Sequence, residues 1–299
     1  MADEELSQLI AGLRAGGPDL GAPPLEARAD FEALLATLPV AEDISFTPET
    51  LGGVPGLRAE TAGMAADTAL LYLHGGAYVV GSAQGYRGLA AELGRAAGMK
   101  VHAIDYRLAP EHPCPAAVED AMAAYAALLD QGIAPGRIVI AGDSAGGGLT
   151  LATLVKLRDE GRPLPAAGLL LSPWADLACE GTSIEGKAAE DPSLTGAALR
   201  ITAGHYLNGA DPRTPLASPI HADLTGLPPL FIQVGSAEIL LDDAVRVAQF
   251  AGAAGVSVRL DIWPNMVHVW HAFAFMLGAG RAAIADAGDF LKNQISGER

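Results

Sequence analysis

Serine, histidine and a carboxylate can together cleave an acyl bond, and this chain of 299 residues holds one serine set for that work. In the run Gly142-Asp143-Ser144-Ala145-Gly146, Ser144 has a glycine two positions away on each side. A nucleophile raised on a sharp strand-to-helix turn needs that arrangement, because larger residues there would collide with neighbouring backbone. The flanks agree. Ile138, Val139 and Ile140 read as a buried strand, while Leu149, Leu151, Leu154, Val155 and Leu157 recur at helical spacing. The expectation is a nucleophile elbow; the alternative is a Gly-rich turn without chemistry.

A serine hydroxyl is a weak nucleophile at neutral pH, so it needs a histidine base, and the base needs a carboxylate to fix its tautomer. With the order serine, acid, histidine, only His268 and His271 of the 7 histidines follow every candidate acid. His268 lies five residues beyond Trp263, where an apolar strand ends. His271 is the weaker choice, one turn into a helical stretch where a histidine is usually packed or solvated. For the acid, the run Leu230–Gly235 (LFIQVG) closes on a glycine and Glu238 follows three positions later. Asp242 and Asp243 compete, but they fall in the first turn of a helix over Ala244–Ala254, where acids ordinarily cap or face the helix dipole. The strand Leu71–Leu73 ends in His74-Gly75-Gly76, whose small residues let backbone N–H groups turn toward a developing oxyanion. The expected donors are Gly75, Gly76 and Ala145, the residue after the nucleophile. His74 itself reads as a residue that orients this loop.

These groups need a scaffold. Residues 2–38 hold two helix-like segments, Glu4–Arg14 and Leu25–Leu38, separated by a Gly- and Pro-rich gap. Strand-like runs follow at Ile44–Thr47, Thr68–Leu73, Lys100–Tyr106, Arg137–Ile140, Ala167–Leu171, Leu230–Val234 and Ser257–Trp263. Helical stretches separate most of them, which argues for a mostly parallel sheet covered on both faces, with chemistry beyond the carboxyl ends of its strands. The segment 178–219 breaks the rhythm with turn signals at Gly181, Asp191-Pro192, Gly196 and Asp211-Pro212. It reads as an insertion in a catalytic domain spanning 46–299. With N-terminal helices in 1–45 it would form a cap that excludes water; the alternative is an ordinary surface excursion.

Composition narrows the partners. Lys plus Arg 19 against Asp plus Glu 35 gives 19 − 35 = −16, a charge that repels nucleic acid. The start MADEELSQLI is acidic where a signal peptide is basic, and no apolar run reaches the ~18 residues that span a bilayer, so a soluble, cytoplasmic protein without an integral membrane segment is expected. Two cysteines, Cys114 and Cys179, are too few for a disulfide framework and read as packing residues. No Cys/His cluster has zinc spacing, and neither metal nor cofactor is expected.

The motifs resemble those of the bacterial hormone-sensitive-lipase-like esterases, a branch of the α/β-hydrolase fold. The matching pieces are His74-Gly75-Gly76, Asp105–Ala117 (DYRLAPEHPCPAA), Gly142–Gly146, Ser172-Pro173-Trp174 and the acid and histidine segments, spread over residues 70–270. The resemblance implies an α/β fold with a mostly parallel central sheet, flanking helices and a small helical cap. It also implies a serine carboxylesterase for short- to medium-chain acyl esters, with Ser144, Glu238 and His268 as its triad and no cofactor. In that family the acid follows the glycine closing the penultimate strand, the place Glu238 occupies. Two departures stand out: Ala77 where many relatives have a third glycine, and Glu238 in place of the commoner Asp. The expected partner is a small-molecule ester; a homodimer stays open. Alternatives are an amide, lactone or carbamate hydrolase using the same triad, and a non-catalytic ligand-binding relative.

Overall fold

The computed structural model describes residues 2–296. At its centre is β3 (Ala65–Leu73), whose last six residues are all buried. Parallel neighbours flank β3, namely β4 (Met99–Ile104) on one side and β5 (Ile138–Asp143) on the other. Alternate residues serve opposite faces: Leu71, Leu73, Ile138 and Ile140 enter one apolar core, and Leu70, Tyr72, Val139 and Ala141 another. That is why these runs are continuously apolar, since a strand covered on both faces has no polar side. The first core is closed by α4 (Ala116–Asp130), α5 (Ala145–Asp159) and α8 (Leu241–Ala253). The second is closed by α3 (Ala83–Ala97) and α9 (Gly278–Ser296).

The parallel array continues through β6 (Ala167–Leu171), β7 (Leu230–Gly235) and β8 (Val258–Trp263). At the other edge stand β1 (Ser45–Leu51) and β2 (Val54–Glu60), giving the order β1-β2-β4-β3-β5-β6-β7-β8. All seven expected strands are present, but β2 is an eighth, and it runs antiparallel to both neighbours. Pro55, Gly56, Arg58 and Glu60 interrupt its apolar pattern, which hides it from a periodicity argument. Its turn is legible afterwards: Gly52 and Gly53 sit at φ 58° and 87°, the left-handed pair that a two-residue hairpin favours. Gly56 is required as well, for a Cβ there would run into the Ala103 carbonyl of β4.

The two N-terminal helices appear as α1 (Ala2–Gly16) and α2 (Pro24–Leu35), the second ending three residues before the expected Leu38. Leu6, Leu9, Ile10 and Leu13 of α1 pack with Met266, Val267 and Trp270, on the loop after β8. Arg28 of α2 donates to the carbonyls of Val79 and Ala109, at 2.8 Å each, and to both oxygens of Glu111. Between β6 and β7, residues 178–219 hold the short α6 (Ser183–Gly186) and α7 (Gly196–Leu207). Thr195 caps α7 by accepting from the Ala198 N–H, and Asn208 closes it in the left-handed conformation. Among the described residues no helix is long and apolar enough to cross a membrane.

Candidate active site

The loops after β3, β5, β6, β7 and β8 meet at one end of the sheet. The turn after β5 holds Ser144 at φ 53°, ψ −121°, a region that only an over-determined backbone keeps. The determinants are visible. The Ser144 N–H donates to the Leu171 carbonyl at 2.8 Å, and the Ser144 carbonyl accepts from Trp174, Gly147 and Gly148. A Cβ at Gly142 would strike the Gly146 carbonyl, and one at Gly146 would strike the Leu73 carbonyl, so both glycines are sterically necessary.

From this turn the hydroxyl reaches His268. Glu238 Oε2 lies 2.7 Å from His268 Nδ1, and His268 Nε2 lies 2.9 Å from Ser144 Oγ. A carboxylate only accepts, so Nδ1 carries the hydrogen and Nε2 is left to accept from the serine hydroxyl. Glu238 is wholly buried, and its other oxygen, Oε1, accepts from the Ser172 hydroxyl at 2.8 Å and from the Gly235 N–H at 2.7 Å. Burial works against protonating His268, yet the charge and hydrogen bond of Glu238, helped by Asp191 and Asp143, raise its pKa above the ordinary value. The extra methylene of Glu is thus accommodated with both oxygens engaged.

Ser172, part of the Ser172-Pro173-Trp174 motif, has a role that the sequence does not show. It sits in the left-handed region at φ 46°, donates to Glu238 and accepts from the Val269 N–H, which ties the acid loop to the histidine loop. The same holds for Asp191. Its Oδ2 accepts from the Ile239 N–H beside the acid, and its Oδ1 from Ser193 and Leu194, so segment 178–219 is bonded directly to the acid loop. The only sequence signal was a turn at Asp191-Pro192.

The competing acids do other work. Asp242 accepts from the Thr182 hydroxyl and Ser183 N–H, and Asp243 from the N–H groups of Ala175 and Asp176. Both lie in the first turn of α8, as expected, but neither caps it; their side chains secure loops following β6, whose N–H groups turn to the two carboxylates. His271 is buried with Nε2 donating to the Gln233 amide oxygen at 3.0 Å. Burial, then the charge of His268, pushes its pKa down to about 3, so it stays neutral. Cys179 is also buried, with its thiol pushed up to about 12, and neither it nor Cys114 forms a disulfide.

The loop after β3 corrects one expectation. The Gly75 N–H does not face Ser144 with a free hydrogen; it donates to Asp143 Oδ1 at 2.9 Å, the oxygen that also accepts from the Tyr72 hydroxyl at 2.6 Å. Asp143 is buried, and burial lifts its carboxyl to about 6. Among the described residues, the N–H groups of Gly76, Ala77 and Ala145 have no protein acceptor. Gly76 and Ala77 both lie at positive φ, 113° and 53°, the latter uncommon for a residue with a Cβ. His74 braces the loop: its Nδ1 donates to the Gly75 carbonyl at 2.7 Å, and its ring stacks on Tyr106 at 4.3 Å.

Above Ser144 and His268 is a cavity of about 120 Å³, walled by Leu13, Phe31 and Leu34 from the N-terminal helices, by Leu194 and Leu199 from segment 178–219, and by Phe273. A separate trio, Asp176, Glu180 and His221, brings ligand-type atoms within 4.8 Å of one another. Protein cations already occupy it, since Arg246 lies 2.7 Å from Asp176 and Arg213 pairs with Glu180.

A family profile described as alpha/beta hydrolase fold matches residues 70–272. An acetyl-hydrolase of Streptomyces hygroscopicus is 58% identical over 223 residues, 75% of each chain. A crystal structure of an esterase from the bacterial hormone-sensitive lipase family superposes with a TM-score of 0.94 at 46% identity, covering 98% of both chains. The structure of EstE5 soaked with p-nitrophenyl butyrate superposes with a TM-score of 0.93 at 45% identity, covering 98% of this chain and 99% of that one. The chain belongs to the α/β-hydrolase fold family, among the esterases of the bacterial hormone-sensitive lipase group. It is a hydrolytic enzyme, a carboxylic ester hydrolase.

Proposed function

We propose that the chain is a serine carboxylesterase acting on short- to medium-chain acyl esters through an acyl-enzyme on Ser144. The observation that carries this reading is the relay Glu238–His268–Ser144, with contacts of 2.7 and 2.9 Å. The Ser144 Oγ attacks the ester carbonyl carbon as His268 Nε2 takes its proton, and Glu238 stabilises the imidazolium that forms. The carbonyl oxygen becomes an oxyanion, received by the N–H groups of Gly76, Ala77 and Ala145. Gly75 leaves this set because its hydrogen is held by Asp143, and it serves by fixing the loop. Collapse of the tetrahedral intermediate breaks the bond to the alcohol, which leaves with the proton from His268. Water then repeats the sequence, giving up a proton to His268 and releasing the acid and free Ser144.

The N-terminal helices and segment 178–219 act as a cap over the serine, as their shares in the cavity wall support. A confined, apolar cavity of about 120 Å³ suits a short acyl chain, in keeping with the butyrate ester soaked into EstE5.

The test is Ser144→Ala, which removes the hydroxyl from a turn that alanine tolerates. It is expected to lower ester hydrolysis by roughly five to six orders of magnitude and to abolish labelling by a fluorophosphonate, with thermal unfolding unchanged. Near-normal hydrolysis would remove Ser144 from the mechanism. Matched ester and amide panels on the native enzyme check the substrate class, and faster amide turnover would reverse it.

A further inference from the structure

Beside the cavity over Ser144 lies a second one, about 530 Å³ against about 120 Å³. The two share Leu35, Leu38, Tyr86 and Ala272 in their linings. Residues facing both spaces make the partition between them a single layer of side chains. Beyond it the larger space is mostly apolar, floored by Leu89 and Ile284 and bordered by Phe275, a ring 52% exposed, with the charged side chains of Glu92, Arg95 and Arg281 also in its lining.

The partition is held in register by small residues of α3. Leu35 crosses that helix at Gly85, where a Cβ would stand 2.5 Å from its Cδ1. The following residues cross at Gly88, where a Cβ would stand 3.3 Å from the Pro39 carbonyl. Tyr86 is wedged between the rings of Phe31 and His74, at 6.3 and 5.7 Å. Leu35 is buried, whereas Leu38 and Ala272 are half-buried at the rim of the core.

We propose that Leu35, Leu38 and Ala272 are the length-determining stop of the substrate pocket, and that the outer cavity receives the apolar arm of a longer ester once the stop is cut back. The inference rests on the esterase reading of the site. Each methylene buried in an apolar pocket is worth up to about a fourfold gain in kcat/KM, until the chain meets a wall. Where a wall backs onto packed protein, cutting it leaves a sealed hole. Here it backs onto a larger, mostly apolar space, so the same cut joins two cavities and the gain per methylene resumes.

The experiment measures kcat/KM on p-nitrophenyl esters from acetate to dodecanoate and on acetates of alcohols of matching length. The native enzyme, Leu38→Ala, Leu35→Ala/Leu38→Ala and Ala272→Leu are compared, each with its fluorophosphonate-titrated active-site fraction. Leu38→Ala is expected to raise the decanoate-to-butyrate ratio at least tenfold, or the decanol-to-butanol ratio if the alcohol arm faces the stop, with a larger rise in the double variant. Ala272→Leu thickens the partition and is expected to lower the hexanoate-to-acetate ratio several-fold, or the hexanol-to-ethanol ratio if the alcohol arm faces the stop. Should the double variant fail to fold, Leu38→Ala and Ala272→Leu decide by their opposite signs. Ratios unchanged in both series, with titrated serine intact, overturn the stop. A native enzyme that takes the titrant but prefers dodecanoate overturns it too. A native enzyme that neither takes the titrant nor hydrolyses any ester overturns the esterase reading, and the stop with it.

Discussion

Glu238 shows how much of the proposed chemistry depends on where one carboxylate spends its lone pairs. One oxygen faces His268, and the other accepts from Ser172 and Gly235, so both oxygens of the acid are held in place. Replacing it by Gln puts an NH₂ either against a histidine nitrogen or against two other donors. Glu238→Gln is therefore expected to lower kcat by roughly 10⁴, the effect of a neutral triad acid that presents the wrong tautomer. Asp242→Asn and Asp243→Asn should cost far less in kcat, since those side chains touch loops and not His268. A larger loss in either Asp variant would move the acid assignment. The pH profile carries a second check. His268 must be neutral to act as base, and its pKa is raised, so kcat/KM should climb with pH through a midpoint above the usual histidine value of 6.5. With Glu238 neutralised that attraction is gone, and the residual activity should titrate at lower pH.

At the scale of elements, the start of α8 is a clamp. Asp243 is fully buried there, accepts from Ala175 and Asp176, and stands close enough to Asp176 that burial and then like charge raise its carboxyl to about 8. A carboxyl raised from its ordinary value near 3.8 favours the folded state fully below about pH 4 and loses that contribution as pH rises toward 8. In Asp243→Asn the side chain no longer titrates. The variant places an amide NH₂ where Oδ1 has no partner, so its absolute stability should fall at low pH. Its melting temperature relative to wild type should nonetheless improve steadily between pH 4 and 8, and a difference independent of pH would show that Asp243 ionises normally. The elbow has no such tolerance, because Gly142 and Gly146 meet backbone carbonyls that no rotamer change can move.

At the scale of the whole molecule, the site is enclosed. Parallel strands bring the proposed catalytic groups to one end of the sheet, and the helices over them leave an apolar space of about 120 Å³. Methylenes added to a substrate contribute about 0.8 kcal/mol each only while they remain inside that space. For the native enzyme kcat/KM is expected to peak at acyl chains of roughly four to six carbons and to fall beyond, measured on aryl esters kept below their aggregation limit. A rate still rising past about ten carbons, or jumping when substrate forms an interface, would make the enzyme a lipase.

Short-range sterics and buried periodicity are what the chain expresses locally, so the sharp turn at Ser144 and the parallel strands were readable from order and spacing, whereas the choice of Glu238 over Asp242 and Asp243 came from the family resemblance and not from spacing. The hairpin strand β2 was not readable, because its pairing with β4 outweighs a poor apolar pattern. Nor could spacing show which way an N–H points. The Gly75 hydrogen turns to Asp143, 68 residues away, because a buried carboxylate and the Tyr72 hydroxyl meet there. The roles of Ser172 and Asp191, as bridges between loops, and the thin partition at Leu35, Leu38 and Ala272 likewise exist only after distant segments have packed. Local sequence decides which residues can do chemistry; the tertiary structure decides where each hydrogen is spent and where each cavity ends, because both depend on partners that lie far apart along the chain.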